Sequence, residues 1–196
     1  WTSLGNTVKV PNAESIWSIK GNNVLTEGKT IFLEWNNQEG LVFRKKIQLD
    51  DKFLFNISQE VENNSSKAVE LFPYAQITRN KKPDDIQGFF ILHEGFIGVF
   101  DEDLEEVSYS DIEDRKKEFN AKDGWLGITD KYWMTALVPE KGKSFKGEFL
   151  FKNGFKANYI QNEGKVVKAS SSGYSETKIF IAAKEVKVID GYAESE

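Results

Sequence analysis

The chain has 196 residues, no cysteine, one histidine and a formal net charge of −5. Those figures exclude disulfides, thiolate metal sites and a cysteine nucleophile, leave a structural zinc site without ligands, and deny nucleic acid the positive field it needs. Fifteen Phe, six Tyr, five Trp and fifteen Gly favour strands and turns over helices, and the length suits one β-sandwich domain burying roughly 70% of its unfolded surface.

Trp1-Thr2-Ser3 is not an ordinary start, so the chain reads as a segment excised from a longer protein. No run approaches the ~20 apolar residues that span a bilayer, and no signal peptide opens it. Thr30 to Trp35 reads as the first clear strand, closed by Asn36-Asn37-Gln38-Glu39-Gly40. From Leu41 the period is two. Leu41, Phe43, Ile47, Leu49, Phe53, Phe55, Ile57 and Val61 share one phase, while Arg44, Lys46, Gln48, Asn56, Ser58 and Glu60 share the other. That alternation places one face on a core and one in water. Asp50-Asp51 and Asn63-Asn64-Ser65-Ser66 supply turns. A third strand from Lys67 to Thr78, with Val69, Leu71, Ala75 and Ile77 inward, would complete a meander.

Gly88 to His93 and Gly95 to Phe100 are short apolar runs around a Glu94-Gly95 turn. The charged stretch Asp111 to Lys122 fits either a short surface helix or a loop. Tyr132 to Val138 is apolar in both phases, which predicts a strand covered on both sides between two packed sheets, and Pro139 ends it. Phe145 to Phe151 and Phe155, Ala157, Tyr159 flank Asn153-Gly154, the strongest hairpin signal in the chain. Val166-Val167 and Thr177 to Ala183 are further strands around a turn at Ser170 to Gly173, and Lys184 to Tyr192 could form a brief terminal helix. The domain is thus expected over 1–183, and a terminal helix or linker over 184–196.

Candidate chemistry is thin. His93 and Glu94 could form an acid–base pair, but neighbours on a strand point to opposite faces. Asp101-Glu102-Asp103-Leu104-Glu105-Glu106 lacks the sixth-position Gly and twelfth-position Glu of a calcium loop, having Glu106 and Ile112 there. It reads as a solvated acidic loop. Trp1, Trp17, Trp35, Trp125 and Trp133 are read as core or strand residues rather than a carbohydrate platform. No nucleophile elbow, P-loop or dinucleotide fingerprint occurs. The residues themselves therefore define an antiparallel all-β sandwich with no evident catalytic residue, cofactor site or metal site.

The segment from Gly124-Trp125-Leu126-Gly127 through Tyr132-Trp133-Met134 to Val138-Pro139 resembles the signature of the large periplasmic domain of the YidC-type insertases. Leu33-Glu34-Trp35, Leu71-Phe72-Pro73-Tyr74-Ala75, His93-Glu94-Gly95-Phe96 and Phe180-Ile181-Ala182-Ala183-Lys184 follow in the order that family shows. Asp123 stands where many members have Gly, and Ala182-Ala183 where Gly-Pro is frequent. The resemblance implies a galactose mutarotase-like supersandwich with a short C-terminal helix, on the periplasmic side of the bacterial inner membrane. It implies a non-catalytic accessory role in inserting and folding membrane proteins. The implied partners are the protein's own transmembrane core, Sec translocon accessory subunits and nascent clients. Val186, Ile189 and Tyr192 are the candidate docking residues of the terminal segment. The alternatives are a sugar-binding or mutarotase-like sandwich, or a groove that holds extended apolar clients.

Overall fold

The structure is a computed structural model that describes residues 1–83 and 93–184. After a short 3-10 turn (Leu4–Asn6), the first half holds β1 (Ser18–Lys20), β2 (Thr30–Asn36), β3 (Leu41–Leu49), β4 (Leu54–Asn63), β5 (Val69–Leu71) and β6 (Tyr74–Arg79). Next come β7 (Gly95–Phe100), β8 (Asp103–Val107), α1 (Tyr109–Asp114), β9 (Lys117–Ala121), β10 (Gly124–Thr129) and β11 (Trp133–Val138). The last four strands are β12 (Phe145–Phe151), β13 (Phe155–Gln161), β14 (Lys165–Val167) and β15 (Ser171–Ala183).

Among the described residues these form a nine-stranded sheet in the order β1-β2-β3-β4-β15-β11-β10-β7-β8, a four-stranded sheet β6-β13-β12-β9, and a ribbon β14-β5. The paired strands are antiparallel, as the alternating pattern predicts. One half of the large sheet packs its inner face on the small sheet, through Phe96, Phe100, Leu126, Leu137, Phe145, Phe149, Phe155 and Tyr159. The other half packs Leu41, Phe43 and Val61 on the ribbon's Leu71 and Val167 and on Trp1. Between the two lies a polar seam where buried Gln59 pairs with Ser175 in the ladder. In that seam Tyr159 Oη meets Thr177 Oγ1 at 2.5 Å.

The structure corrects several expectations. The stretch from Lys67 to Thr78 is two strands in different sheets, and it does not continue a meander, because β4 pairs with β15 instead. Pro73 has no N–H to continue a ladder. Just before it, Phe72 exchanges backbone hydrogen bonds with Thr2 at 2.9 and 2.8 Å, and the chain then crosses to the small sheet. Phe53 does not face the core: it sits in the β3–β4 turn with φ 65° and lies exposed. There Asp50 Oδ1 accepts from the amides of Lys52 and Leu54, which holds the turn in place of side-chain burial.

The charged stretch 111–122 is neither one helix nor one loop. Its helix starts earlier, capped by Ser108 Oγ accepting from Asp111 N at 3.1 Å, and residues 117–121 form an edge strand. The acidic run is not a loop but a tight turn leading into β8. The turn around Ser170 is a single left-handed residue (φ 56°), so Ser171 to Gly173 already belong to β15. Gly88 to Leu92 and the expected terminal helix lie outside the described residues, apart from Lys184.

One prediction holds closely and a second in its middle residues. The Asn153-Gly154 hairpin has positive φ at both residues (53° and 116°), as that turn requires. In β11, Ala136 and Leu137 are buried on opposite faces, Leu137 in the ring-filled core and Ala136 beside Phe180 and Ala182. The signature glycines have a steric cause. A Cβ at Gly124, which also has φ +135°, would stand 2.0 Å from Val99 O, and one at Gly127 2.0 Å from Thr135 O. Any side chain there would push the neighbouring strands apart.

Candidate functional site

A polar group that joins three elements lies at the end of the sandwich where β6 and β10 finish and β7 begins. Asp130, just past β10, receives Tyr109 Oη at 2.7 Å on Oδ1 and the Arg79 guanidinium at 2.5 Å on Oδ2. The three groups come from the large sheet, from α1 and from the small sheet, so Asp130 ties the layers together at this rim. Burial, and then the carboxylate beside it, hold the Tyr109 phenol far above its usual range, so it stays a donor throughout the ordinary pH range.

His93 and Glu94 lie at the same rim. The His93 ring gives Nε2–H to Phe96 O at 2.7 Å, and its own carbonyl accepts from Lys184 Nζ at 3.0 Å. An imidazole committed to a backbone carbonyl is a structural brace, in keeping with its reading as a strand-end residue. Burial lowers the Lys184 ammonium, and the charges of Glu94, Asp130 and Glu106 oppose that shift. The two carboxylate oxygens of Asp130 are both in use. The rim is therefore a network in which Tyr109, Arg79 and His93 are each committed to a named acceptor, while Arg79 Nε is left buried without one.

Charge elsewhere is arranged in ladders. On the outer face of the large sheet Arg44 reaches Glu34 at 3.0 Å, Glu62 at 2.6 Å and Glu60 at 3.7 Å. On the small sheet Glu118 is held by Lys116 at 2.6 Å and Lys146 at 2.9 Å. Apart from Lys116 and Glu118, which are two residues apart along the chain, these are cross-strand neighbours, and their worth is modest in water. Lys122, Asp123, Lys143 and Glu163 border a half-open depression of about 330 Å³. Among the described residues no group of three His, Cys, Asp or Glu is placed to hold a metal ion. Asp101, from the acidic run, accepts from the amides of Lys122 and Asp123, which lowers its carboxyl.

The tryptophans divide. Trp1 is buried, Trp17, Trp35 and Trp125 are half-buried, and Trp133 is 61% exposed. Its neighbour Tyr132 is 64% exposed. Reading both as part of a doubly covered strand was wrong at this end: β11 runs past the edge of the layers that cover Ala136 and Leu137. Asp130, a turn-favouring residue just before Tyr132 and Trp133, was the available signal. Sequence reasoning also missed Arg79, Tyr109 and Asp130 as one network, since residues so far apart carry no local pattern. Val186, Ile189 and Tyr192 lie outside the described residues.

The comparisons with known proteins agree with one another. The family model described as the YidC periplasmic domain matches residues 1–195. The chain is 46% identical over 195 residues to a protein named membrane protein insertase YidC from Pelagibacter ubique, covering 100% of this chain and 35% of that protein. A relative of the same name from Nitrobacter hamburgensis is 36% identical, with 95% and 32% covered. The chain thus spans about a third of the length of these relatives. Among solved structures, a galactose mutarotase related enzyme from Lactobacillus acidophilus matches with a TM-score of 0.59 at 10% identity, covering 86% of this chain and 73% of that one. An α-galactosidase from Lactobacillus brevis matches at 0.57 and 9% identity, covering 88% and 26%. Likeness at that identity establishes the sandwich fold and nothing of the chemistry.

Proposed function

Because the chain belongs to the YidC periplasmic domain family, we propose that it is a non-catalytic accessory domain of a membrane protein insertase, acting through its surfaces at the periplasmic side of the bacterial inner membrane. The observation that carries this reading is the whole-length family match. It is supported by the rim network, in which the sole histidine is tied to a backbone carbonyl and each oxygen of Asp130 already has a partner. The domain's partners are then its own transmembrane core, with Sec accessory subunits and nascent membrane proteins as further contacts. Its terminal segment docks on the sandwich and orients it over that core. Burying Val186 or Ile189 would contribute about 1.5–3 kcal/mol each.

The test is made in the full-length insertase. Deleting the domain, or changing Val186 and Ile189 to Ser, should lower the yield of an inserted reporter protein, and the double change should also lower the melting temperature of the 196-residue chain. Unchanged insertion and unchanged melting would overturn it. A second reading, a sugar-active sandwich, draws only on the fold of the neighbours. Anomer exchange of an aldose accelerated by this chain above the buffer rate would favour it.

A further inference from the structure

We infer that the end of the sandwich carrying the β10–β11 turn docks on the phospholipid headgroup layer of a bilayer, with Tyr132 and Trp133 as the anchoring side chains. The inference rests on the reading of the chain as a domain of a membrane protein insertase and adds the surface by which it meets the lipid.

The turn is built to present those rings. Asp130 N donates to Trp133 O at 2.8 Å, which puts Lys131 and Tyr132 at the tip. Tyr132 and Trp133 are 64% and 61% exposed, although large rings normally bury most of their surface. They are not alone at this end. Ile181 N donates to Phe53 O at 3.2 Å, and both of these side chains are exposed, at 41% and 55%. Across the rim, Phe151 projects from the β12–β13 hairpin against Phe155, the ladder partner of Arg79. Beneath the tip, Asp130 is pinned by Arg79 and Tyr109. The turn is thus anchored from below, so ordering it on a partner costs little.

The occupant follows from the proposed setting and from the side chains at the tip. Lys184 N donates to Tyr132 O at 2.9 Å, so the strand that leaves the sandwich is bonded to this very tip. The relatives of this chain are named membrane protein insertases and are about three times its length, so on the proposed reading the domain works beside a lipid surface. The side-chain types also match a bilayer surface better than a protein one. Trp and Tyr concentrate at headgroup depth, and lysines beside them extend their ammonium groups to phosphates. Lys131 Nζ lies 5.2 Å from the Tyr132 ring, and exposed Lys152 follows Phe151.

The experiment uses the 196-residue chain with vesicles of phosphatidylethanolamine and phosphatidylglycerol, part of whose acyl chains are brominated near the headgroup. Tryptophan emission should be quenched on mixing, and the quenching should disappear in W133F, which keeps the apolar ring. In Y132S/W133S the vesicle-bound fraction should fall about tenfold, the equivalent of about 1.4 kcal/mol. Both positions are exposed, so melting should not change. Three results would overturn the inference: no vesicle binding, quenching that persists in W133F, or a Trp133 already shielded from a soluble quencher without lipid, which means the chain itself or a second copy covers it. If deletion of the domain still impairs insertion while vesicles go unbound, the accessory role stands and the lipid contact fails.

Discussion

Behind β7, β10 and β11 the core is made of rings. Phe100 stacks on Phe119 at 4.1 Å between centroids, Phe96 and Phe149 lie 5.0 Å apart, and Tyr109 meets Phe155 edge-on at 4.7 Å. Behind β3 and β4 the core is smaller, with Trp1, Phe43, Trp17 and Trp35 set among Leu and Val, and its boundary is drawn by two asparagines that are fully buried, Asn37 and Asn63. Asn63 gives its amide hydrogens to Lys67 O and Val167 O at 2.8 and 2.9 Å and accepts from Ser65 N and Oγ. Asn37 binds Lys9 O and takes the amides of Glu39 and Leu41. One half of the molecule is therefore held by area and ring geometry. The other needs polar clamps to close a ribbon and an N-terminal segment that form only short ladders. The lesson is that a small apolar cluster can be sealed by side chains that replace missing backbone partners.

That contrast can be broken or sharpened by measurement. The largest effect should come from the ring-filled half: Phe149→Ala removes a fully buried ring with several ring neighbours and should cost about 3–5 kcal/mol in urea unfolding. Asn63→Ala should cost about 1–3 kcal/mol, because it removes the side-chain donor to the buried Val167 carbonyl and the acceptor for the Ser65 amide. It should also speed amide exchange in β5 and β14 more than in β12. A cost near that of a surface change would show that the ribbon closes without the clamp. The smallest effect lies outside both cores. Glu118 should titrate at about 2 rather than its ordinary 4.5, held down by bonds from Lys116 and Lys146. Its folded pKa is lowered, so its contribution to stability is complete above the ordinary value and fades as pH falls toward 2. In K116M the midpoint, followed by carbon-detected NMR, should move back upward.

Much of the fold was legible because strands leave a local record. Leu41 and Phe43, Phe155, Ala157 and Tyr159, and the Asn153-Gly154 turn each state their role within a few residues. The candidate site was far less legible. Tyr132 and Trp133 continue the apolar run of the core residues that follow them, and only the end of the covering layers makes them surface.

Alternating polarity, turn chemistry and the glycines of the Gly124 to Gly127 segment by themselves determined an antiparallel sandwich, since a pleated strand with one apolar face has to bury it. Which strand lies beside which was decided in three dimensions. The pairing of β4 with β15 across more than a hundred residues, the switch of sheets at Pro73 and the junction of Arg79, Tyr109 and Asp130 depend on contacts that no local spacing encodes. A residue's own neighbourhood sets its backbone and its face, and only the closed layers set what that face meets.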